Sequence, residues 1–101
     1  VSSEDPNPLI QNFIAKYRER YKSEPDAFSF LGYDAMMLMA DAIKRAGSTD
    51  GDKIRQELAK TSNFKGVTGS ITINEQRNAI KPAVVIEIKD GKFKYKETIA
   101  P

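Results

Sequence analysis

Two carboxylates within the most apolar segment of the chain are the first candidates for chemistry. Asp34 and Asp41 are seven residues apart in the segment 27–46. Seven residues make two turns of an α-helix, so both side chains would share one face, about 10 Å apart along its axis. Such a carboxylate pair could act in acid–base catalysis or bind a cation. We favour the simpler interpretation that they form the polar stripe of an otherwise apolar helix.

The composition removes most other chemistry. The 101 residues contain no cysteine and no histidine, which excludes disulfides, thiolate chemistry and Cys/His zinc sites and removes the commonest general base. The net charge of +2, from 16 basic and 14 acidic residues, is too small to indicate nucleic-acid or membrane binding. No apolar run approaches the roughly 18 residues that span a bilayer. We therefore predict one small domain with no metal site, no cofactor and no nucleic-acid partner.

Three other motifs have plain structural explanations. Met36, Met37 and Met39 could form an adaptable binding surface, but packing in a core is the favoured role. The segment 66–69 (GVTG) lacks the lysine and the strand-before-helix context of a phosphate-binding loop, so we interpret it as a turn. The lysines within 92–96 could form a basic patch, although lysines on an exposed strand also discourage edge-to-edge pairing.

The elements that position these residues begin with an extended N-terminal segment and a helix. Residues 1–8 are polar and contain two prolines. Asn7 is an acceptable N-cap, and Pro8 suits the first helical position. The first helix is expected to end at 23–26 (SEPD), because proline disfavours helical geometry in the residue before it.

The segment 27–46 is the strongest helix signal in the chain. Apolar residues occupy almost its whole circumference, which is typical of a helix buried on several sides. Gly47 is a natural residue to end it. An N-cap within 48–50 (STD) then starts a short third helix that runs to about Lys60.

Strands are predicted for the rest of the chain. Residues 62–69 are interpreted as a loop, 70–74 as an alternating strand and 75–78 as a polar turn. A clearer strand covers 83–89, and Asp90-Gly91 is a strong hairpin signal. The returning strand places its aromatic and lysine side chains on opposite sides. The predicted fold class is α/β, with three helices followed by about three short strands including a C-terminal β-hairpin.

The central helix creates a mismatch between this order of elements and burial. No β-α-β alternation is present, so the chain alone does not supply a parallel sheet. Two flanking helices and a few strands can hardly enclose a helix that is apolar on almost every side. We therefore expect either further sequence or a homo-oligomer to cover it.

Phe28 is a candidate binding residue because of its place in the chain. It lies between the Pro25-Asp26 turn and the first turn of the apolar helix. A side chain there can project from a helix N-terminus into a neighbouring cleft, although core packing is the commoner role of such a residue.

The combination of segments resembles the leucine/isoleucine/valine-binding protein family, the type I periplasmic binding proteins of branched-chain amino-acid ABC transporters. No single segment is specific, but their order and spacing together are, and they cover nearly the whole chain. The segments are FIAKY at 13–17, Tyr21, Pro25, GYDA at 32–35, Ala42-Ile43, AGSTD at 46–50, NFKGVTG at 63–69, ITIN at 71–74, Lys81-Pro82 and IKDG at 88–91.

The resemblance implies that the chain is the C-terminal part of a protein several times longer, with two α/β lobes that close on an amino acid. After the extended segment 1–8, residues 9–61 would be the helical part of the first lobe. Residues 62–101 would supply strands, an interlobe crossing near 84–88 and a terminal hairpin. The implied location is periplasmic or extracellular, and no enzyme activity is implied.

The resemblance assigns one binding residue. In the family a Phe just before this helix lines the pocket for the solute side chain, and Phe28 matches that position by its offsets from Pro25 and from 33–35. Asp34 is part of the signature and is expected to be structural. The implied partners are an amino acid, expected to be aliphatic, and an ABC permease, both in the full-length parent, and the isolated chain is expected to bind amino acids weakly or not at all.

Three other functions remain open at this point. The first is a self-associating interaction module, in which a homo-oligomer covers the apolar helix. The second is a ligand-sensing fragment of the same fold without a transport role. The third is a small enzyme that uses Asp34 and Asp41, for which no substrate suggests itself.

Overall fold

The computed structural model describes all 101 residues and contains three helices followed by five short strands. The helices are α1 (Pro8–Tyr21), α2 (Ala27–Ala46) and α3 (Gly51–Ala59), and the strands are β1 (Phe64–Gly66), β2 (Gly69–Ile73), β3 (Ala79–Ile80), β4 (Ala83–Lys89) and β5 (Lys92–Ile99). Strands β1, β2 and β3 form one antiparallel sheet in that order, and β4 and β5 form a separate hairpin. None of the three helices combines the length and hydropathy that crossing a bilayer requires.

The start of α1 follows from its capping residues. The Asn7 side chain accepts a hydrogen bond from the backbone N–H of Leu9 at 3.0 Å, and Pro8 is the first helical residue, as predicted. The helix ends at Tyr21, slightly before the predicted end, because Lys22 adopts a left-handed conformation with φ of 56°. The residue that breaks the helix therefore precedes the proline that sequence reasoning relied on.

Helix α2 has the predicted bounds because both of its ends are encoded locally. Asp26 and Ser29 form a reciprocal capping box at the N-terminus, and Gly47 ends the helix in the left-handed conformation with φ of 63°. Helix α1 packs on it through aromatic rings, with the Phe13 centroid 5.0 Å from that of Phe30 and 4.7 Å from that of Tyr33.

The prediction for the strands was partly wrong. Residues 64–66 were expected within a loop, but they form β1, in which Phe64 pairs with Ile71 of β2. The second unexpected strand, β3, contains only two residues, so five strands replace the expected three. A strand of two or three residues is too short to show the alternation by which strands are recognised.

The β4–β5 hairpin turns where the sequence predicted it. Asp90 and Gly91 have φ of 52° and 73°, the positive values that a tight two-residue hairpin turn requires. Ile88 pairs with Phe93 across the hairpin. The pairing shifts between Val85 and Ile86, whose partners are Glu97 and Tyr95, so the expected alternation along β5 is interrupted at the residue between those partners.

The apolar core of this chain is small. Only 10 of the 101 residues are buried, and the core cluster consists of Ile10, Ile14, Phe30 and Val67. The Cα radius of gyration is 15.3 Å, whereas a globular domain of this length has a value of about 13 Å. The chain is therefore more extended than a protein that encloses its own core.

Most apolar residues of α2 lie outside that core. Met36 is 69% exposed, and Met37 and Met39 are also exposed, so the expectation that the methionines pack in a core fails within this chain. The expectation that the chain's own elements cannot enclose α2 is supported by the same exposures. A chain that leaves these side chains in water has an unpartnered apolar helix face.

Candidate functional site

Asp34 is a buried carboxylate that holds the loop between β1 and β2. Its side chain accepts hydrogen bonds from the backbone N–H groups of Val67 and Thr68, each at 2.8 Å, and from the Thr68 hydroxyl at 2.5 Å. Asp34 is 4% exposed. Three donors compensate a buried carboxylate for the water it has lost. Asp34 therefore has the structural role that the sequence predicted.

Asp41 has partners different from those of Asp34, so no shared hydrogen-bond network joins the two aspartates. It accepts a hydrogen bond from Arg45 Nε at 2.9 Å. The same guanidinium donates to the Glu57 backbone carbonyl at 2.8 Å and to the Thr61 hydroxyl at 3.1 Å. Arg45 thereby joins α2, the end of α3 and the segment that leads to β1. The enzyme hypothesis loses the carboxylate pair on which it depended.

The 66–69 loop encloses a protein carboxylate and not a phosphate. The N–H groups of Val67 and Thr68, which would face an anion in a phosphate-binding loop, point to Asp34. A Cβ on Gly66 would lie 2.5 Å from Asp34 Oδ2. The loop can therefore approach the carboxylate only with glycine at that position.

Phe28 is held at the start of α2 by the capping box. The Ser29 N–H donates to Asp26 Oδ1 at 2.8 Å, and the Asp26 N–H donates to Ser29 Oγ at 3.3 Å. The hydrogen bond from the Ser29 backbone is the main reason that the pKa of Asp26 lies below its ordinary value. Phe28 itself is 81% exposed. The cap fixes the backbone of Phe28 while no side chain of this chain covers its ring.

A cavity of about 370 Å³ lies beside the same end of α2. Its lining includes Asp26 and Ala27, which directly precede Phe28, together with Ile86 and Phe93 of the β4–β5 hairpin. Phe28 itself does not line this cavity. Phe93, which does, is 77% exposed. The start of α2 and the hairpin therefore form one apolar edge of the chain.

Sequence reasoning did not single out Ile86 and Phe93 as site residues. Their alternation indicates which strand face they occupy, but it carries no information about which helix end the hairpin approaches. Their proximity to the start of α2 depends on contacts between residues about 60 positions apart, which local patterns do not report.

The family comparison agrees with the sequence prediction. A family model described as periplasmic binding protein matches residues 2–92. The chain is 29% identical over 93 residues to Leu/Ile/Val-binding protein homolog 1 of Brucella suis biovar 1, an alignment that covers 88% of this chain and 25% of that protein.

Two solved structures are similar to nearly the whole chain. The leucine-binding protein LivK of Thermotoga maritima has a TM-score of 0.81 and 44% identity, and the match covers 98% of this chain and 28% of that one. LivJ of Streptococcus pneumoniae, a branched-chain amino-acid transporter substrate-binding protein in complex with isoleucine, has a TM-score of 0.84 and 32% identity over 100% of this chain and 28% of that one.

The chain thus spans about a quarter of the length of the proteins that it matches. The predicted fold class, an α/β fragment of a type I periplasmic binding protein fold, is confirmed. A fragment of this size leaves the apolar residues of α2 without the elements that the rest of such a fold supplies. Since the family model covers residues 2–92 of 101, this chain belongs to the periplasmic binding protein family.

Proposed function

We propose that this chain is part of an extracytoplasmic solute-binding protein that binds a branched-chain or similar aliphatic amino acid for uptake by an ABC transporter. The observation that carries the proposal is the likeness, over nearly the whole chain, to a leucine-binding protein and to a substrate-binding protein with isoleucine bound. The permease is the second partner. The proposed location is the periplasm or the cell exterior, where such a protein meets its solute.

Phe28 is the residue to which we assign contact with the solute side chain. Phe28 is 81% exposed, and its backbone is fixed by the Asp26–Ser29 cap. A rigidly held aromatic ring offers a large apolar surface at little cost in conformational entropy. Covering such a ring with an aliphatic side chain stabilises the complex by about 1.5–3 kcal/mol, or a roughly 10- to 150-fold change in the dissociation constant.

Phe28 by itself supplies only the apolar part of an amino-acid binding site. Asp26, the charged side chain nearest to Phe28 in the sequence, already accepts hydrogen bonds from the backbone and hydroxyl of Ser29. A buried ammonium or carboxylate without a partner is costly, so apolar contact alone does not hold a zwitterion. The isolated chain is therefore expected to bind amino acids weakly or not at all.

Calorimetry with leucine, isoleucine and valine tests the proposal on the natural full-length protein. We expect binding, and we expect Phe28→Ala to weaken it at least ten-fold. Tyr21→Ala is the matched control, because Tyr21 is also an exposed aromatic residue, at 58%, but packs on Tyr17 of its own helix with ring centroids 4.7 Å apart. Absence of binding for all three amino acids would overturn the function, and equal affinities for the two variants would overturn the role of Phe28.

A second function, self-association, is favoured by the exposed apolar side chains. Phe28, Met36, Ile88 and Phe93 are 81%, 69%, 73% and 77% exposed. Two copies of the isolated chain could cover these residues in a dimer. Light scattering should then give twice the monomer mass of 11.3 kDa. A monomer at all concentrations would remove this candidate.

The same fold could also sense a solute without transporting it. The two roles differ in the partner, since transport requires productive contact with a permease. Stimulation of the permease ATPase by the solute-loaded full-length protein supports transport, and binding of solute without stimulation supports sensing.

A further inference from the structure

The β4–β5 hairpin is attached to the rest of the chain at few points. Its strands pair with each other and with no other strand. At the middle of β5, the Tyr95 N–H donates to Glu4 Oε1 at 3.0 Å, and Lys94 pairs with the same carboxylate at 3.5 Å. The base of the hairpin at Lys81-Pro82 is a second attachment, and Val84 and Thr98 line a cavity together with N-terminal residues and the 66–69 loop. The direction in which the hairpin extends within this chain therefore depends in part on that base.

The base of the hairpin lies directly against the 66–69 loop. Gly69 has φ of 125°, and a Cβ there would lie 3.1 Å from both Cγ and Cδ of Pro82. Next to it, Lys81 Nζ donates to Thr68 Oγ1 at 3.1 Å. The loop and the start of β4 are thus joined by close packing and by a hydrogen bond.

The other side of the same loop is fixed to α2. The Thr68 hydroxyl is 2.5 Å from Asp34 Oδ2, and the Cβ position of Gly66 is occupied by the same carboxylate. A lysine ammonium can only donate and a carboxylate can only accept, so the Thr68 hydroxyl accepts from Lys81 and donates to Asp34. Opposite charges at the two ends of this chain strengthen both hydrogen bonds.

We propose that Lys81, acting through Thr68 and Asp34, is a positioning residue that sets the orientation of the β4–β5 hairpin relative to α2. The cavity beside the start of α2 is lined by hairpin residues Ile86 and Phe93, by Asp26 and Ala27, and by residues 1–3. A change in the angle of the hairpin therefore moves part of the lining of that cavity. Lys81 does not line the cavity, so its effect is indirect.

For solute binding, this inference rests on the proposed function. A hairpin that is free to tilt opens the cavity edge next to Phe28, so a bound amino acid leaves sooner. Encounter with the solute is less affected, because no charge or contact surface at the cavity changes. Loss of the Lys81 link should therefore raise the dissociation rate constant about ten-fold and change the association rate constant less than two-fold.

A distance measurement without solute separates this inference from the proposed function. The chain contains no cysteine, so spin labels on cysteines introduced at Lys44, near the end of α2, and at Lys92, on the hairpin, report their separation by pulsed electron paramagnetic resonance. In the natural full-length protein we expect Lys81→Met to broaden the distance distribution. Lys81→Arg should restore the narrow distribution, because it retains a cationic donor. Lys96→Met is the matched control, because Lys96 is an exposed lysine of the same hairpin that pairs with neither spin-labelled position.

Two substitutions at Thr68 guard against a folding defect at position 81. Thr68→Val removes the hydroxyl but keeps both backbone donors to Asp34, and it should broaden the distribution like Lys81→Met. Thr68→Ser keeps the hydroxyl and should leave the distribution narrow. Equal distributions for Lys81→Met, Thr68→Val and the unsubstituted protein would overturn the inference. Failure of all three amino acids to bind would overturn only the proposed function.

Discussion

Position 66 requires glycine because the Asp34 carboxylate occupies the space that a side chain would fill. A Cβ there would lie 2.5, 2.8 and 2.9 Å from Oδ2, Cγ and Oδ1 of Asp34. The Asp34 carboxylate cannot move aside to relieve these short distances, because three hydrogen bonds hold it in place. The steric requirement at one residue is thus created by the hydrogen bonding of another.

Gly66→Ala is expected to destabilise the natural full-length protein by about 2–4 kcal/mol. The added methyl group displaces either the loop or the Asp34 carboxylate and breaks hydrogen bonds to a buried charge. Gly51→Ala is the matched control, because a Cβ at Gly51, the first residue of α3, meets nothing within 4 Å. Urea unfolding midpoints measure both variants. A similar small effect of the two substitutions would contradict the clash.

Asp34→Asn should lower the free energy of unfolding by about 2–3 kcal/mol. The amide nitrogen cannot accept the hydrogen bond that one carboxylate oxygen accepts in the unsubstituted protein. Asp41→Asn is the control within the same helix. The Asp41 side chain is 41% exposed and pairs with Arg45 at i,i+4, a geometry worth about 0.5 kcal/mol. Urea unfolding midpoints of the two variants measure the loss of stability in each. Equal losses of stability would show that Asp34 is no more important structurally than Asp41.

At the scale of elements, the N-cap of α2 makes the stability of the chain depend on pH. The pKa of Asp26 is lowered from its ordinary value of 3.8, chiefly by the hydrogen bond from the Ser29 backbone. The unfolded chain therefore binds this proton more readily than the folded chain. The contribution to stability is present above the unfolded pKa and is lost as the pH falls through the lower folded pKa.

Replacement of Asp26 by Asn should flatten this acid dependence, because asparagine also caps a helix but does not titrate. The prediction is checked with urea midpoints between about pH 5 and pH 2. Lowered pKa values of Glu4 and Glu24 add acid sensitivity in both proteins, so only the difference between them reports on Asp26. Parallel pH profiles for the two proteins would contradict the role of the cap.

The elements that could be predicted from sequence are those whose ends are local. The N-caps Asn7, Asp26 and Asp50 and the C-terminal Gly47 lie within a few residues of the helix ends that they determine. Strand β1 could not be predicted, because its three residues depend on pairing with β2 and show no pattern of their own.

The candidate site follows the same distinction between local and distant information. Phe28 was identified from its position after Pro25-Asp26 and from the family resemblance, and its role stays a prediction. The partners of Asp34 lie 33 and 34 positions away, at Val67 and Thr68. No rule of sequence spacing connects such residues. The hydrogen bonds that link α2 to the base of the hairpin could therefore be identified only from the structure.

At the scale of the whole molecule, the exposed face of α2 is explained by the share of the fold that this chain represents. Its matches cover 25–28% of the related proteins. The chain measures 49 × 32 × 19 Å and buries only 10 residues. Removing an apolar helix face of this kind from water is favourable, so we expect α2 to bind the elements that cover it in the complete fold.

Fragment reassembly tests this explanation directly. We expect this chain, mixed with the natural protein from which residues 1–101 have been removed, to form a complex that binds solute. Met36→Glu should weaken the complex at least ten-fold, because a charge would be placed on an α2 position that is 69% exposed here and covered after assembly. Lys53→Glu is the control on the exposed surface of α3. Titration by calorimetry measures both affinities. Equal affinities would show that the α2 face is not the surface through which this chain joins the rest of its fold.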